Sequence, residues 1–328
     1  MNSETEQRLA TLEVILDQKI SFCLPCHEDS ADFQPYVWDA TSKGTFTPLN
    51  LVRSQEWIEE TDPETAFTQW IDVEKRGSVS ELIPFYGNDP DPGNIFPDDK
   101  IRKARYQAYS ELFDLLIDRV ENLQAFKFSC NSHYSLIVVV GKIIDSEKWI
   151  CLSSTVPQET PEYINNVIYC STHIQSWKSN LDSVEGSLSE TKINEIVARL
   201  DNIKIYGYYG GGYCHTHDFK IIKAVQNSKN ESIERALLLS GLVEIYKFEK
   251  FAKQARGGWS FSRHFDRQEQ SLANFLNKAF PELLVYRFCF WDYEHLYILG
   301  ETGDRDDALR PLRDRVGISL HSQFTYNP

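Results

Sequence analysis

The chain has no run of 18 or more apolar residues, so no segment is long enough to cross a bilayer as a helix, and a membrane partner is not expected. Its first residues, MNSETEQRLATL, have neither a basic start nor an apolar signal core. Its seven cysteines are odd in number and fall in no framework spacing. A reduced, cytoplasmic protein that needs no disulfide is therefore expected. Basic residues are scarce, with 34 Lys+Arg against 48 Asp+Glu, a formal net charge of -14. The deficit is uneven: residues 1–160 hold 27 acids against 14 bases, and the remainder 21 against 20. Such a field repels nucleic acid phosphates, favours a basic protein surface as partner, and also keeps the chain soluble. No Ser-His-Asp order, metalloprotease helix or dinucleotide fingerprint occurs, and Gly210, Gly211 and Gly212 are not followed by the Lys-Ser/Thr of a phosphate loop. An enzyme is not expected.

What the sequence does hold is a repeat. YSELFDLLIDRVENLQAFKFSCNSHYSLIVVVGK starts at Tyr109, and a loose copy, QSLANFLNKAFPELLVYRFCFWDYEHLYILGET, starts at Gln270. In each, an apolar helical stripe (Tyr109, Phe113, Leu116, Val120; Leu272, Phe275, Leu276, Ala279) runs into an aromatic-basic-Phe strand, Phe126-Lys127-Phe128 or Tyr286-Arg287-Phe288. A second strand follows, ending at Gly141 or Gly300. Upstream, in both halves, a short amphipathic helix (Leu9, Leu12, Ile15, Leu16; Ile193, Ile196, Val197, Leu200) leads through a strand to an Asp-Phe pair, Asp32-Phe33 or Asp218-Phe219.

A length of 328 residues suits two domains, each able to bury its own core. The expected division is residues 1–160, a polar and partly ordered linker at 161–188, and residues 189–328, with Ser189 capping the opening helix of the second domain. DPDPGNIFPDDK, Asp89 to Lys100, reads as a loop within the first domain. Hairpins joined to amphipathic helices, rather than repeated βαβ crossovers, predict an α+β sandwich in which each domain is a mainly antiparallel sheet covered by helices.

The segment ISFCLPCHEDSADFQPYVWDA, Ile20 to Ala40, reads as a strand, an acidic loop and a second strand closing on Val37-Trp38. Here the chain resembles the nuclease A inhibitor family, small acidic proteins that block a sugar-nonspecific, metal-dependent endonuclease. That family's Ser-Glu-Ser-Glu loop, followed by Phe and a strand ending in Trp, is matched by His27-Glu28-Asp29-Ser30, Phe33 and Trp38. Glu28 falls on the first family glutamate, and Ser30 replaces the second. The resemblance resumes at the Tyr109 helix and runs through Gly141-Lys142 to Cys151–Thr160, similar to the family's closing Gly-[IL]-Ser-Thr-x-Val-Val-Glu-Thr. The family chain normally stops there, whereas Thr160 is followed by Pro161 and a second copy. That copy has Cys214-His215-Thr216-His217 in place of the acidic loop and no Glu-Thr at its end, so it is a degenerate copy not expected to inhibit in the same way.

The resemblance implies a protein partner, a nonspecific endonuclease or similar basic-site enzyme. Glu28 is its main anchor, Asp29 and Asp32 give electrostatic support, and Glu159 and Thr160 form a secondary contact. Trp38 is either an interface anchor or a core residue. A nuclease site gathers cations and a divalent metal to hold phosphate, and carboxylates on a hairpin occupy those positions without offering a cleavable bond. The rival class is a metal or redox protein. Cys23-Leu24-Pro25-Cys26-His27 matches the attachment signature of a c-type haem, a redox pair or half a zinc site, and His215 and His217 alternate on a strand beside Cys214. No cofactor or bound metal is expected on the leading reading. A third possibility is an interaction module that retains the inhibitor fold without inhibiting.

Overall fold

The first helix begins where the sequence supplies its own cap. Asn2 accepts the Thr5 N–H at 2.8 Å and opens α1 (Ser3–Leu16), with Glu4 and Glu6 in the first turn where the helix dipole favours them. The computed structural model describes residues 1–17, 19–23, 30–76, 99–130, 135–156, 168–173, 187–209, 213–251, 263–290, 293–303 and 313–323. The loop expected at Asp89–Lys100 lies outside them except for its last two residues, which open a helix.

The described residues form two compact units, and neither is a continuous stretch of chain. Residues 1–54, 159–175 and 243–328 make one, and residues 55–158 and 176–242 make the other. The expected contiguous division at 160 and 189 is corrected accordingly. The stretch expected as a linker also contains a strand, Ile168–His173.

Unit 1 is built on a six-stranded antiparallel sheet. After α1 come the short strands β1 (Ser21–Cys23) and β2 (Ser30–Asp32), then β3 (Gln34–Trp38) and two short helices, α2 (Ala40–Lys43) and α3 (Pro48–Ser54). Unit 2 begins with β4 (Ile58–Thr61) and α4 (Pro63–Arg76). The 21-residue α5 (Asp99–Arg119) follows and leads into β5 (Val120–Phe128), β6 (Leu136–Ile143) and β7 (Trp149–Ser154). The linker strand is β8 (Ile168–His173), in unit 1. Unit 2 is completed by α6 (Leu188–Arg199), a hairpin of β9 (Ile203–Tyr209) and β10 (Tyr213–Phe219), then β11 (Ile221–Gln226) and α7 (Lys229–Ser240). Unit 1 closes with β12 (Val243–Phe251), α8 (Arg263–Ala279), β13 (Leu283–Cys289), β14 (Tyr293–Thr302) and β15 (Asp314–Gln323).

The sheet orders are β3-β15-β14-β13-β12-β8 in unit 1 and β11-β7-β6-β5-β4 in unit 2, every neighbouring pair antiparallel. An α+β fold with helix-covered antiparallel sheets is thus what the chain adopts. In unit 1, Leu12 and Leu16 of α1 and Leu272 and Leu276 of α8 bury their stripes against Val285, Ile298, Val316 and Ile318 of the sheet. In unit 2, Tyr109, Leu112 and Leu116 of α5 and Ile193 of α6 cover Ala125, Ile137, Val139 and Leu152.

Two glycines expected at strand ends lie inside strands and explain the helix-to-strand passage. A Cβ on Gly141 of β6 would come within 2.3 Å of Val120 Cγ1, and one on Gly300 of β14 within 2.2 Å of the Phe280 ring. Val120 and Phe280 are the residues directly after α5 and α8. Only a missing side chain lets the chain fold back so tightly from helix to sheet. The helix cap expected at Ser189 is made instead by Ser187, whose hydroxyl accepts the Glu190 N–H at 3.2 Å.

Candidate functional site

The acidic segment is carried by a ribbon of its own. β1 and β2 pair antiparallel, Ser21 with Asp32, Phe22 with Ala31 and Cys23 with Ser30, as a two-stranded sheet separate from the six-stranded one. The base of this ribbon is fixed by packing. Ile20 is fully buried, and its carbonyl accepts the Phe33 N–H at 2.9 Å. The Phe33 ring, 2 % exposed, sits 5.5 Å from that of Phe251 within the unit 1 core. Lys19, with φ at 39°, turns the chain out of α1 and into the ribbon. Its ammonium lies 3.8 Å from Asp32, an ion pair on an 83 % exposed lysine that adds little to stability.

Asp32 therefore belongs to the base of the hairpin, half-buried and paired, rather than to its tip. The connection bearing Glu28 and Asp29 lies outside the described residues, as do Glu159 and Thr160. Trp38 is corrected from interface anchor to core residue: it is 1 % exposed, its indole N–H donates to the Gly44 carbonyl at 2.8 Å, and its ring meets that of Phe46 edge-on. A strand-end tryptophan gives no sequence signal for which face it takes; here β3 runs beside β15 with Trp38 opposite Arg315.

The second repeat builds the same device at its own hairpin. Phe219 is 2 % exposed in the unit 2 core, and Asp218 accepts from the Asn202 amide at 2.7 Å, as Asp32 meets Lys19. Of the rival cluster, Cys23 ends β1, whereas Cys26 and His27 lie outside the described residues. Cys214, His215 and His217 fall on β10, opposite Tyr208, Gly207 and Ile205 of β9. Among the described residues, no group of three or more His, Cys, Asp or Glu is placed to hold a metal ion. Cys130, Cys151 and Cys289 are buried, and burial pushes the Cys151 thiol up, away from the thiolate that redox chemistry needs.

Three polar clusters escaped the sequence reading. In unit 1 the buried Arg287 guanidinium is held by Glu244 at 2.8 Å and by Glu294. In unit 2, Arg105 meets Glu74 at 2.6 Å, and the Tyr109 hydroxyl donates to the same carboxylate at 2.5 Å. Burial, followed by the charge of Glu74, raises Tyr109 well above its ordinary range, so it stays a donor. The third is His295 and His321, directly opposite on β14 and β15 with their Nδ1 atoms in contact. The first two are closed ion pairs, one tying β12, β13 and β14 together and the other tying α4 to α5. Glu244 and Glu74 lie 43 and 31 residues from Arg287 and Arg105, so no local spacing rule finds these pairs.

Among the described residues, no helix is long and apolar enough to cross a membrane. No family model, curated protein or solved structure matches the chain.

Proposed function

We propose that this chain is a cytoplasmic, nuclease A inhibitor-like protein, not an enzyme, that blocks a sugar-nonspecific, metal-dependent nuclease. Its acidic β1–β2 connection enters the positively charged active site. The observation that carries the reading is the hairpin itself: a separate ribbon with its base bound into the core by Ile20 and Phe33, and Glu28 and Asp29 in its connection. A charge placed on an anchored support loses little conformational freedom on binding, which is what an active-site plug requires. The net charge of -14 adds long-range attraction to a basic enzyme surface and repulsion from its substrate. Glu28 is the anchor and Asp29 its support; Glu159 and Thr160 supply a secondary contact.

The test is inhibition of a magnesium-dependent, sugar-nonspecific endonuclease by the full chain and by Glu28→Lys, at about 0.15 M salt so that unspecific attraction is screened. Reversing a charge at the centre of a complementary interface costs at least about 2 kcal/mol, roughly thirtyfold in the inhibition constant. Inhibition by the wild type that falls by that factor in the variant is expected, with unchanged circular dichroism. Absence of inhibition by the full chain, or equal inhibition by both proteins, refutes the reading.

A further inference from the structure

The two units and the two sequence repeats do not coincide, and the mismatch has a regular form. Each repeat consists of a front half (helix, hairpin, strand, helix) and a rear half (strand, helix, three strands). The front half of the first repeat is α1–β1–β2–β3–α3, with the short α2 added after β3, and that of the second is α6–β9–β10–β11–α7. The rear halves are β4–α5–β5–β6–β7, with α4 added after β4, and β12–α8–β13–β14–β15. Several matches reach single residues. Gly141 and Gly300 admit the residue after the helix, and Glu59 opposite Lys127 corresponds to Glu244 opposite Arg287. Ser54 and Ser240 each return a hydroxyl to the carbonyl three residues back.

The pairing, however, is reciprocal. Strand β3 of the first front half lies on β15 of the second rear half, and β11 of the second front half lies on β7 of the first rear half. The chain leaves one unit for the other after Ser54 and after Leu242, the same point in each repeat. A left-handed residue stands two positions before the next strand in both cases, Glu56 with φ at 58° and Gly241 with φ at 82°.

We infer that the repeats are exchanged, so that each front half completes the rear half of the other repeat and the chain is an intertwined pair in a single polypeptide. Polar contacts join front and rear halves in each unit, buried at Asp314 in unit 1 and partly buried or exposed in unit 2. In unit 1 the Asp314 carboxylate accepts from the Asn2 N–H at 3.2 Å, the Thr5 hydroxyl at 2.9 Å and the Ala40 N–H at 2.8 Å. It thereby holds the starts of two helices of the front half from a strand of the rear half. In unit 2 the Asp145 carboxylate accepts the Ser189 N–H at 3.2 Å, and its pKa is held below the usual carboxylate range, first by the Ser187 hydroxyl. There Arg105 also donates to the Asp201 carbonyl at 2.6 Å, and Arg199 pairs with Glu111. The short, turn-like crossings favour exchange, because a hinge of this length does not readily reverse to lay β3 on β7.

The test is made on the full chain with a specific protease site inserted between Gln175 and Ser176. Gln34 and Ser319 face each other across β3 and β15, close enough for a disulfide. Trp149 and Gln226 do so across β7 and β11. The unexchanged arrangement would instead bring Gln34 opposite Ser153, the counterpart of Ser319. After mild oxidation and cleavage, Q34C/S319C and W149C/Q226C should each hold the two fragments together on a non-reducing denaturing gel, nearly completely. Q34C/S153C and the wild-type control should release them. Release of the fragments by either cross-repeat variant, with native circular dichroism retained, overturns the inference, as does complete loss of the two new thiols in Q34C/S153C.

Discussion

His295 should make unit 1 sensitive to mild acid. Its ring is 8 % exposed on β14 between Phe290, 6.1 Å away edge-on, and His321. With the two Nδ1 atoms in contact, one nitrogen donates and the other must keep its lone pair, so a second proton on the facing atoms has no place. Burial, followed by the neighbouring His321, holds His295 down to about 3 against an ordinary value of 6.5. Because the native-state value is lowered, the unfolded chain takes up its proton first, and between pH 6.5 and about 3 the unfolded state holds more protons. Stability therefore falls as pH falls through this window. At pH 5 the loss attributable to His295 is about 2 kcal/mol relative to pH 7.5. His295→Phe keeps a ring against Phe290 and removes the titration. Urea unfolding of both proteins at pH 7.5 and pH 5 measures the effect of removing this group, His321 being held down by burial in its own right. The wild type should lose about 2 kcal/mol more than the variant across the interval. Parallel pH dependence of the two proteins would refute the reasoning.

Two further substitutions test the packing account. Arg287→Met strands Glu244 and Glu294 in the sheet interior and should cost about 3–5 kcal/mol, whereas Lys127→Met, at the equivalent pair with Glu59 but largely exposed, should cost less than about 1 kcal/mol. Urea midpoints of the two variants measure the contrast, and similar losses would show that burial of the pair is not what matters. Gly317→Ala places a Cβ within 1.8 Å of the Ile298 carbonyl oxygen, a backbone atom that cannot retreat without parting β14 from β15. A loss at or above the upper end of the ~1–3 kcal/mol typical of overpacking is expected in the same assay, and near-neutrality would refute the close approach.

The elements of this fold were legible because both halves of each repeat carry strong periodicities. The stripes Leu12/Leu16, Ile193/Leu200, Tyr109/Leu116 and Leu272/Leu276 are all buried against sheets, Tyr109/Leu116 and Leu272/Leu276 on their own repeat's strands and Leu12/Leu16 and Ile193/Leu200 on those of the other repeat. What the pattern could not specify was partnership. β3 and β11 are both short strands rich in apolar residues, and β7 and β15 are both suitable neighbours, so local pattern does not choose between the contiguous and the exchanged pairing. The choice rests on contacts of high sequence separation, such as Asp314 with Asn2 and Ala40, which no local spacing announces. Strand β8 was obscured by the polar composition around it, which suits its place at the end of the strand order among the described residues. Trp38 was ambiguous for a similar reason: a tryptophan closing a strand suits either face until its indole partner, the Gly44 carbonyl, is known.

Exchange changes what the second repeat means for the acidic hairpin. The ribbon carrying Glu28 belongs to the first repeat, but the frame that fixes its base comes from the second: Phe251 against Phe33, β15 beside β3, and Asp314 at the start of α1. A chain ending at Thr160 would keep every acid of the loop and lose the sheet on which its support rests. The second repeat is in this sense the scaffold of the first one's site. Its own hairpin needs only Phe219 in the core and Asp218 on Asn202 to support unit 2. Nothing in that role requires carboxylates, and Cys214-His215-Thr216-His217, on β10, stand at the sequence positions that hold the acidic segment in the first repeat.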